Sequence, residues 1–312
     1  MLREDVIMLS SLRDGHGPSW SLLLRVKSVL VQACDRAGID PSGARLVNVL
    51  GTAVFLLPDS GTIAKVILSP GLRHRASSAV RAARLLAAHG VPAVRLAETD
   101  CEQPVLAEEG AVTFWRRHPE STWPVGRGEF AALLKRLHAI SIDPALREWD
   151  PVADLRTRVA DATDLDPELA DWLLSHCDEV EKYVEKLSFQ LPRAVIHGDA
   201  QPANVLSGVA GAVLADLDGV CVGPAEWDLV PTAVAALRLP GGVAAHRELA
   251  DFYGFDVTTW DGFNVLRRVR ELELVTIALP MVSVDRGIRE QMHHRLRVLR
   301  AGDDAALWDP YR

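Results

Sequence analysis

The hydrophobic period of this chain changes once, and that change restricts the fold more than any other feature. "RLVNVLGTAVFLLPDSGTIAKVILS" alternates short β-branched runs with the turn signals Gly51 and "PDSG", which predicts three antiparallel strands. A helix over about Trp20 to Ala37 precedes them, closed by Gly38, and a second over "RHRASSAVRAARLLAAHG" follows, ending at Gly90 before Pro92. Further strands are expected at "AVRLAE" and "AVTFWRR". From about Gly126 the spacing is helical, in "GRGEFAALLKRLHAIS", "PELADWLLSHCDEVEKYVEKL" and "TWDGFNVLRRVRELELVTIALPMV", interrupted by two strand-like runs. The expected class is α+β, a sheet-bearing first lobe followed by a mainly helical second lobe, and 312 residues with 48% hydrophobic content suffice for both.

Charge narrows the partners. A net charge of −8 opposes general nucleic-acid binding, because phosphate backbones are held by basic surfaces. The charged start "MLREDVIMLSSLRDGHG" lacks the apolar core of an export signal, and "LVPTAVAALRLPGGVAA" is broken by Pro231, Arg238 and Pro240, so no membrane span is expected. Cys34, Cys101, Cys177 and Cys221 have no paired spacing, which suits free thiols in a reducing cytoplasm.

The two strand-like runs in the helical half carry the chemistry. "AVIHGDAQPANVL" is a buried strand entering a turn that Pro202 keeps out of regular helix, and "AVLADLD" begins six residues after Leu206. Read as a hairpin, the two runs bring Asp199, Asn204 and Asp216 to one end of a short ribbon. Two carboxylates and an amide oxygen form a hard, all-oxygen set suited to Mg²⁺. Two of these groups can hold metal while the remaining carboxylate orients and deprotonates a hydroxyl, the division of labour that phosphoryl transfer requires.

H-G-D-x-x-x-x-N with D-x-D twelve residues on resembles the catalytic loop and metal motif of the aminoglycoside phosphotransferase and choline kinase group, relatives of the protein kinases. The resemblance covers nearly the whole chain in order. It implies a two-lobed kinase-like fold, with residues 1–117 as the ATP-binding lobe and 118–312 as the lobe of the catalytic loop and acceptor pocket. It implies Asp199 as catalytic base, Asn204 and Asp216 as Mg²⁺ ligands, and Asp218 as a second ligand or a hydrogen-bonding group. Lys65, in "TIAKVIL", stands where kinases place the lysine on the α- and β-phosphates of ATP; Gly51 is the glycine of the phosphate-covering loop, and main-chain groups near Trp115 in "VTFWRRHPE" are expected to hydrogen-bond adenine. His197 and Asp228 brace the catalytic loop. Acceptor-pocket candidates are Asp218, Glu226, Trp227, Trp260, Glu271 and Glu273.

Two departures stand out. The position where relatives carry the helix glutamate that pairs with the strand lysine is Ala79, and the same helix bears Arg73, Arg75, Arg81 and Arg84, expected to form a solvated face and, secondarily, phosphate contacts. Gly198 replaces the catalytic-loop arginine of protein kinases, and Asp228 stands only twelve positions after Asp216, which leaves no room for a peptide-docking segment. The expected activity is transfer of the γ-phosphate of Mg-ATP to a hydroxyl of an antibiotic or similar natural product. The alternatives are a metabolic alcohol kinase and a nucleotide-binding protein without transfer activity.

Overall fold

The computed structural model describes residues 18–119, 124–162, 165–209 and 211–311. The N-terminal stretch without an export-signal pattern, and Glu120 at the end of the hinge segment, lie outside the described residues.

Helix α1 (Pro18–Ala37) buries Val26, Val29, Leu30, Ala33 and Ala37, a three-to-four-residue stripe, against the sheet. Strands β1 (Arg45–Leu50), β2 (Thr52–Leu57) and β3 (Thr62–Ile67) are consecutive and antiparallel, as the alternation predicts. Alternation in β3 sends Ala64 and Val66 into the core beneath α1 and Lys65 to the opposite face. Helix α2 (His74–Ala88) crosses that face.

The next two strands differ in part from expectation. Residues 93–98 form only single bridges, Ala93 to Leu214 and Leu96 to Trp115. The edge strand is instead β4 (Val105–Ala107), hairpinned to β5 (Gly110–Arg116) with Ala107 opposite Gly110. The reason is local: a Cβ at Gly110 would lie 2.8 Å from the Ile67 carbonyl, so only glycine lets this turn close on β3. The sheet order is β1-β2-β3-β5-β4.

The second lobe adds α3 (Arg127–His138), α4 (Ala153–Asp161) and α5 (Pro167–Val184), the last capped by Asp166, whose Oδ1 accepts from Leu169 N at 3.1 Å. Strand β6 (Arg193–Ile196) leads into the catalytic loop, β7 (Val205–Leu206) leaves it, and β8 (Val213–Leu214) and β9 (Cys221–Pro224) follow. The predicted hairpin between the two motif strands does not form. β6 pairs with β9, and β7 with β8. Burial explains the choice, because β6 and β9 put Val195, Ile196, Cys221 and Val222 into the helical core, while the loop between them needs its backbone for other contacts. Helices α6 (Val230–Arg238), α7 (Gly242–Tyr253), α8 (Phe263–Thr276) and α9 (Arg286–Ala301) complete the lobe. Among the described residues no helix is long and apolar enough to cross a membrane, and the four cysteines are free.

Candidate active site

The catalytic loop is held by one buried carboxylate. Asp228 accepts from His197 N at 2.7 Å and His138 Nε2 at 2.9 Å through Oδ2, and from Gly198 N at 2.9 Å through Oδ1. His197 is fully buried, with Nε2 donating to Ala215 O at 2.8 Å, so the histidine ties the catalytic loop to the strand leading to Asp216. Gly198 has φ +81°, and a Cβ there would collide with the Gly219 carbonyl oxygen, which accounts for glycine where protein kinases carry arginine. Trp227 Nε1 donates to Gly198 O at 2.9 Å and locks the same turn from below.

These constraints aim Asp199 and Asn204 at each other. Asn204 Nδ2 donates to Asp199 O at 2.9 Å and to Asp199 Oδ2 at 3.0 Å, and Gln201 Nε2 also donates to Oδ2 at 3.0 Å. The amide oxygen of Asn204 is therefore the atom it can offer a cation. Asp199 Oδ1 lies 2.7 Å from Arg270 Nη2 on α8, and Arg270 Nη1 lies 2.9 Å from Glu273. Burial pushes the Asp199 carboxyl up, but Arg270, His197 and Arg75 outweigh it and hold the group below the ordinary carboxylate range.

Across the cleft, Lys65 Nζ makes a short ion pair with Asp216 Oδ1 and lies 3.8 Å from Asp218 Oδ2. Asp216 is the one described non-glycine residue with positive φ, 59°, a costly conformation that the surrounding contacts impose. Burial and the neighbouring Asp218 charge push its carboxyl up, whereas Arg75 and Lys65 overcome burial and hold Asp218 well below the ordinary range. Two carboxylates crowded in this way are a natural seat for a divalent cation, which would relieve their repulsion. Among the described residues no three His, Cys, Asp or Glu side chains are grouped to hold a metal alone. A cation here would rest on Asp216, the Asn204 oxygen and phosphate oxygens, the sparse protein ligation that suits Mg²⁺.

The arginines of α2 are not all a solvated face. Arg81 and Arg84 are exposed, but Arg75 reaches Asp218 and Asp154 of α4, each at 3.4 Å. Where relatives bring a helix glutamate to the lysine, this helix brings a cation to the aspartate beside it. Ala79, one turn on, is 3% exposed in an apolar cluster.

Asp199, Asp216 and Asp218 line one cavity of about 490 Å³, together with Leu50 and Thr52 of the glycine turn and with Trp227, Arg158, Arg270 and Glu273. Gly51 has φ +74°, and a Cβ there would lie 3.3 Å from Ile277 Cγ1, so the turn sits close over the end of α8. The remaining predicted residues lie elsewhere. Trp115 is buried, its Nε1 donating to Thr113 Oγ1 at 2.9 Å, and the neighbouring main chain is engaged, Arg116 N with Arg95 O and Phe114 O with Ala97 N. Glu226 is fully buried and accepts from Gln190 N and Leu191 N at 2.5 and 2.6 Å. Trp260 donates to Ser188 O at 3.2 Å beneath the same segment. Glu271 pairs with buried Arg238 at 2.7 Å and borders a separate hollow of about 660 Å³ between α5, α8 and α9. Sequence reasoning missed Arg158 and Arg270, and gave Arg75 to solvent or phosphate and not to Asp218 and Asp154. Only the i, i+3 spacing of Arg270 and Glu273 signalled that these two share a face.

The profile of the phosphotransferase enzyme family matches residues 52–271. No curated protein matches the sequence. Similar solved structures include the amicoumacin kinase hAmiN in complex with AMP-PNP, Ca²⁺ and Ami, at 11% identity and TM-score 0.64 over 93% of this chain and 98% of that one. Others are the aminoglycoside phosphotransferase APH(3'')-Id of Streptomyces rimosus with ADP and streptomycin (17%, 0.55, 78% and 97%) and a choline/ethanolamine kinase family protein of Mesorhizobium loti (16%, 0.56, 87% and 94%). With its match spanning most of the sequence, from the strand before Lys65 to the helix of Arg270, the chain belongs to the phosphotransferase enzyme family and is an ATP-dependent phosphotransferase acting on a hydroxyl group.

Proposed function

We propose that the protein transfers the γ-phosphoryl group of Mg-ATP to a hydroxyl of an antibiotic or similar natural product. The observation that carries this reading is the convergence of Lys65 of β3, Asp199 and Asn204 of the catalytic loop, and Asp216 after β8, three separate segments, on one cleft. Residues 1–117 form the nucleotide lobe and 118–312 the lobe of catalytic loop and acceptor pocket. Lys65 contacts the α- and β-phosphates, the Gly51 turn covers them, and the strand of Trp115 borders adenine. Asn204 and Asp216 would hold Mg²⁺, which when bound draws off charge from the transferring group. Asp199 orients the acceptor hydroxyl and accepts its proton as the new P–O bond forms and the β–γ bond breaks, ADP leaving. His197 and Asp228 hold the loop through this step. Trp227 offers an apolar wall to the acceptor.

The similarity to kinases of amicoumacin and streptomycin supports an antibiotic acceptor over a metabolic alcohol. The test is ATP consumption against a panel of aminoglycoside, nucleoside, macrolide and peptide antibiotics and cellular alcohols, with Asp199→Asn as control. Acceptor-dependent turnover that the substitution lowers supports the reading, and turnover indifferent to every acceptor, or equal in Asp199→Asn, defeats it.

A further inference from the structure

Most carboxylates of the cavity beside Asp199 are already engaged. Besides Asp199, Asp216 and Asp218 its acids are Asp150, Asp154 and Glu273. Asp150 caps α4, accepting from Val152 N at 3.0 Å and Ala153 N at 2.9 Å. Asp154 is shared by Arg75 at 3.4 Å and Arg147 at 3.7 Å, and Glu273 is taken by Arg270 at 2.9 Å. An ammonium-bearing acceptor would have to strip Asp154 or Glu273 from its arginine or compete with the α4 amides for Asp150.

Positive charge is in the opposite state. Arg158 of α4 lines the cavity, yet among the described residues no carboxylate forms an ion pair with it, and its Nη1 donates to Thr276 Oγ1 at 3.4 Å. Burial and the guanidiniums of Arg75 and Arg270 push its pKa down, with Glu273 and Asp154 only partly opposing them. A half-buried guanidinium among like charges gains when an anion joins it. Its planar fork matches carboxylate and phosphate oxygens in pairs. Trp227, Val234, Leu274 and Trp308 supply apolar walls, and about 490 Å³ suits a small organic molecule.

Resting on the phosphotransferase reading, we infer that the acceptor hydroxyl compound carries an anionic group, a carboxylate or a phosphate monoester, that seats against Arg158 in the field of Arg75 and Arg270. A polycationic aminoglycoside is the acceptor that this cavity disfavours most.

The test pairs acid with neutral ester. Sugar acids, hydroxybenzoates and sugar phosphates, their methyl esters, and the polycations kanamycin and streptomycin are assayed for acceptor-dependent ATP consumption, and for binding by calorimetry with ADP and Mg²⁺ saturating. The expected result is a preference of about tenfold or more for at least one acid over its ester, the size of a charge-assisted contact. Arg158→Met should abolish that preference by raising KM for the acid while leaving KM for ATP within about twofold, and Arg158→Lys should restore part of it. The carboxylate and phosphate arms identify which anion is read. Equal use of acid and ester across the panel, or preference for the aminoglycosides, would overturn the inference. So would an Arg158→Met effect on KM for ATP instead, since the guanidinium would then serve nucleotide phosphates. Acid-selective binding that depends on Arg158 but yields no phosphorylated product would support the anion site and instead refute the phosphotransfer reading on which it rests.

Discussion

Asp199 shares its carboxylate between two amide donors on one oxygen and a guanidinium on the other, so its orientation is better secured than its basicity. Asp199→Asn is expected to leave ATP binding intact and to lower kcat by about 10²-fold or more, as when a positioned acid–base group is lost; steady-state kinetics with a nucleotide titration checks both parts. The ionisation has a definite sign. With Arg270 present the Asp199 carboxyl titrates below the ordinary range, so the acid limb of kcat/KM lies below that range too. Arg270→Gln removes the strongest of the charges that oppose burial, so the limb should move to higher pH. Folding follows the same direction. A carboxyl held below its unfolded value adds stability above that unfolded value, and the increment fades as pH falls through the folded one. Acid unfolding of Arg270→Gln should therefore begin at a higher pH, and pH titrations of activity and ellipticity that coincide with the parent would dissociate Arg270 from Asp199.

At the scale of elements, the loop between β6 and β7 depends on contacts outside itself. Asp228→Ala would leave the buried His197 and Gly198 amides and His138 Nε2 without their acceptor, at about 1–3 kcal/mol for each orphaned group. Denaturant unfolding should show a loss of several kcal/mol, with Asp228→Asn less damaging because it keeps an acceptor oxygen. The loop was legible in the sequence because H-G-D-x-x-x-x-N packs its determinants into eight residues, and left-handed Gly198 and the Pro202 turn act locally. The strand pairing around it was not legible. Hydrophobic runs at 194–196 and 212–214 look alike in one dimension, and only burial of Cys221 and Val222 against the helical core selects β9 as partner of β6. Likewise, periodicity placed Ala79 and Arg75 on a helix but could not tell which neighbour each would meet. Ala79 faces apolar residues, so Ala79→Glu should cost several kcal/mol by burying an unpaired carboxylate, without lowering KM for ATP.

Across the whole molecule, the lobes share an apolar core and are joined over the cleft by charge. Lys65 of the sheet reaches Asp216, Arg75 of α2 reaches both Asp218 and Asp154, and the Gly51 turn rests against Ile277. The lobes themselves were legible from the single change of period, but these links join residues far apart in sequence whose spacing carries no signal. Because Lys65 is oriented by Asp216 and not by a helix glutamate, nucleotide phosphates and a divalent cation enter at the junction that holds the lobes together. Lys65→Ala should therefore raise KM for ATP by about tenfold or more, the worth of one charge-assisted phosphate contact. Nucleotide binding should also stabilise the fold as a whole, by about 2.7 kcal/mol at a hundredfold excess over Kd. That increment should depend on Mg²⁺, because without the cation the triphosphate meets the Asp216 and Asp218 charges unshielded. Thermal unfolding of the parent with ATP should thus shift upward by a few degrees more in Mg²⁺ than in EDTA. In Asp216→Asn, which loses one of the two crowded charges and a cation ligand together, the Mg²⁺-dependent part should shrink while the EDTA baseline with ATP should not fall. A full Mg²⁺ increment retained in Asp216→Asn would place the cation on other ligands and remove Asp216 from the metal site.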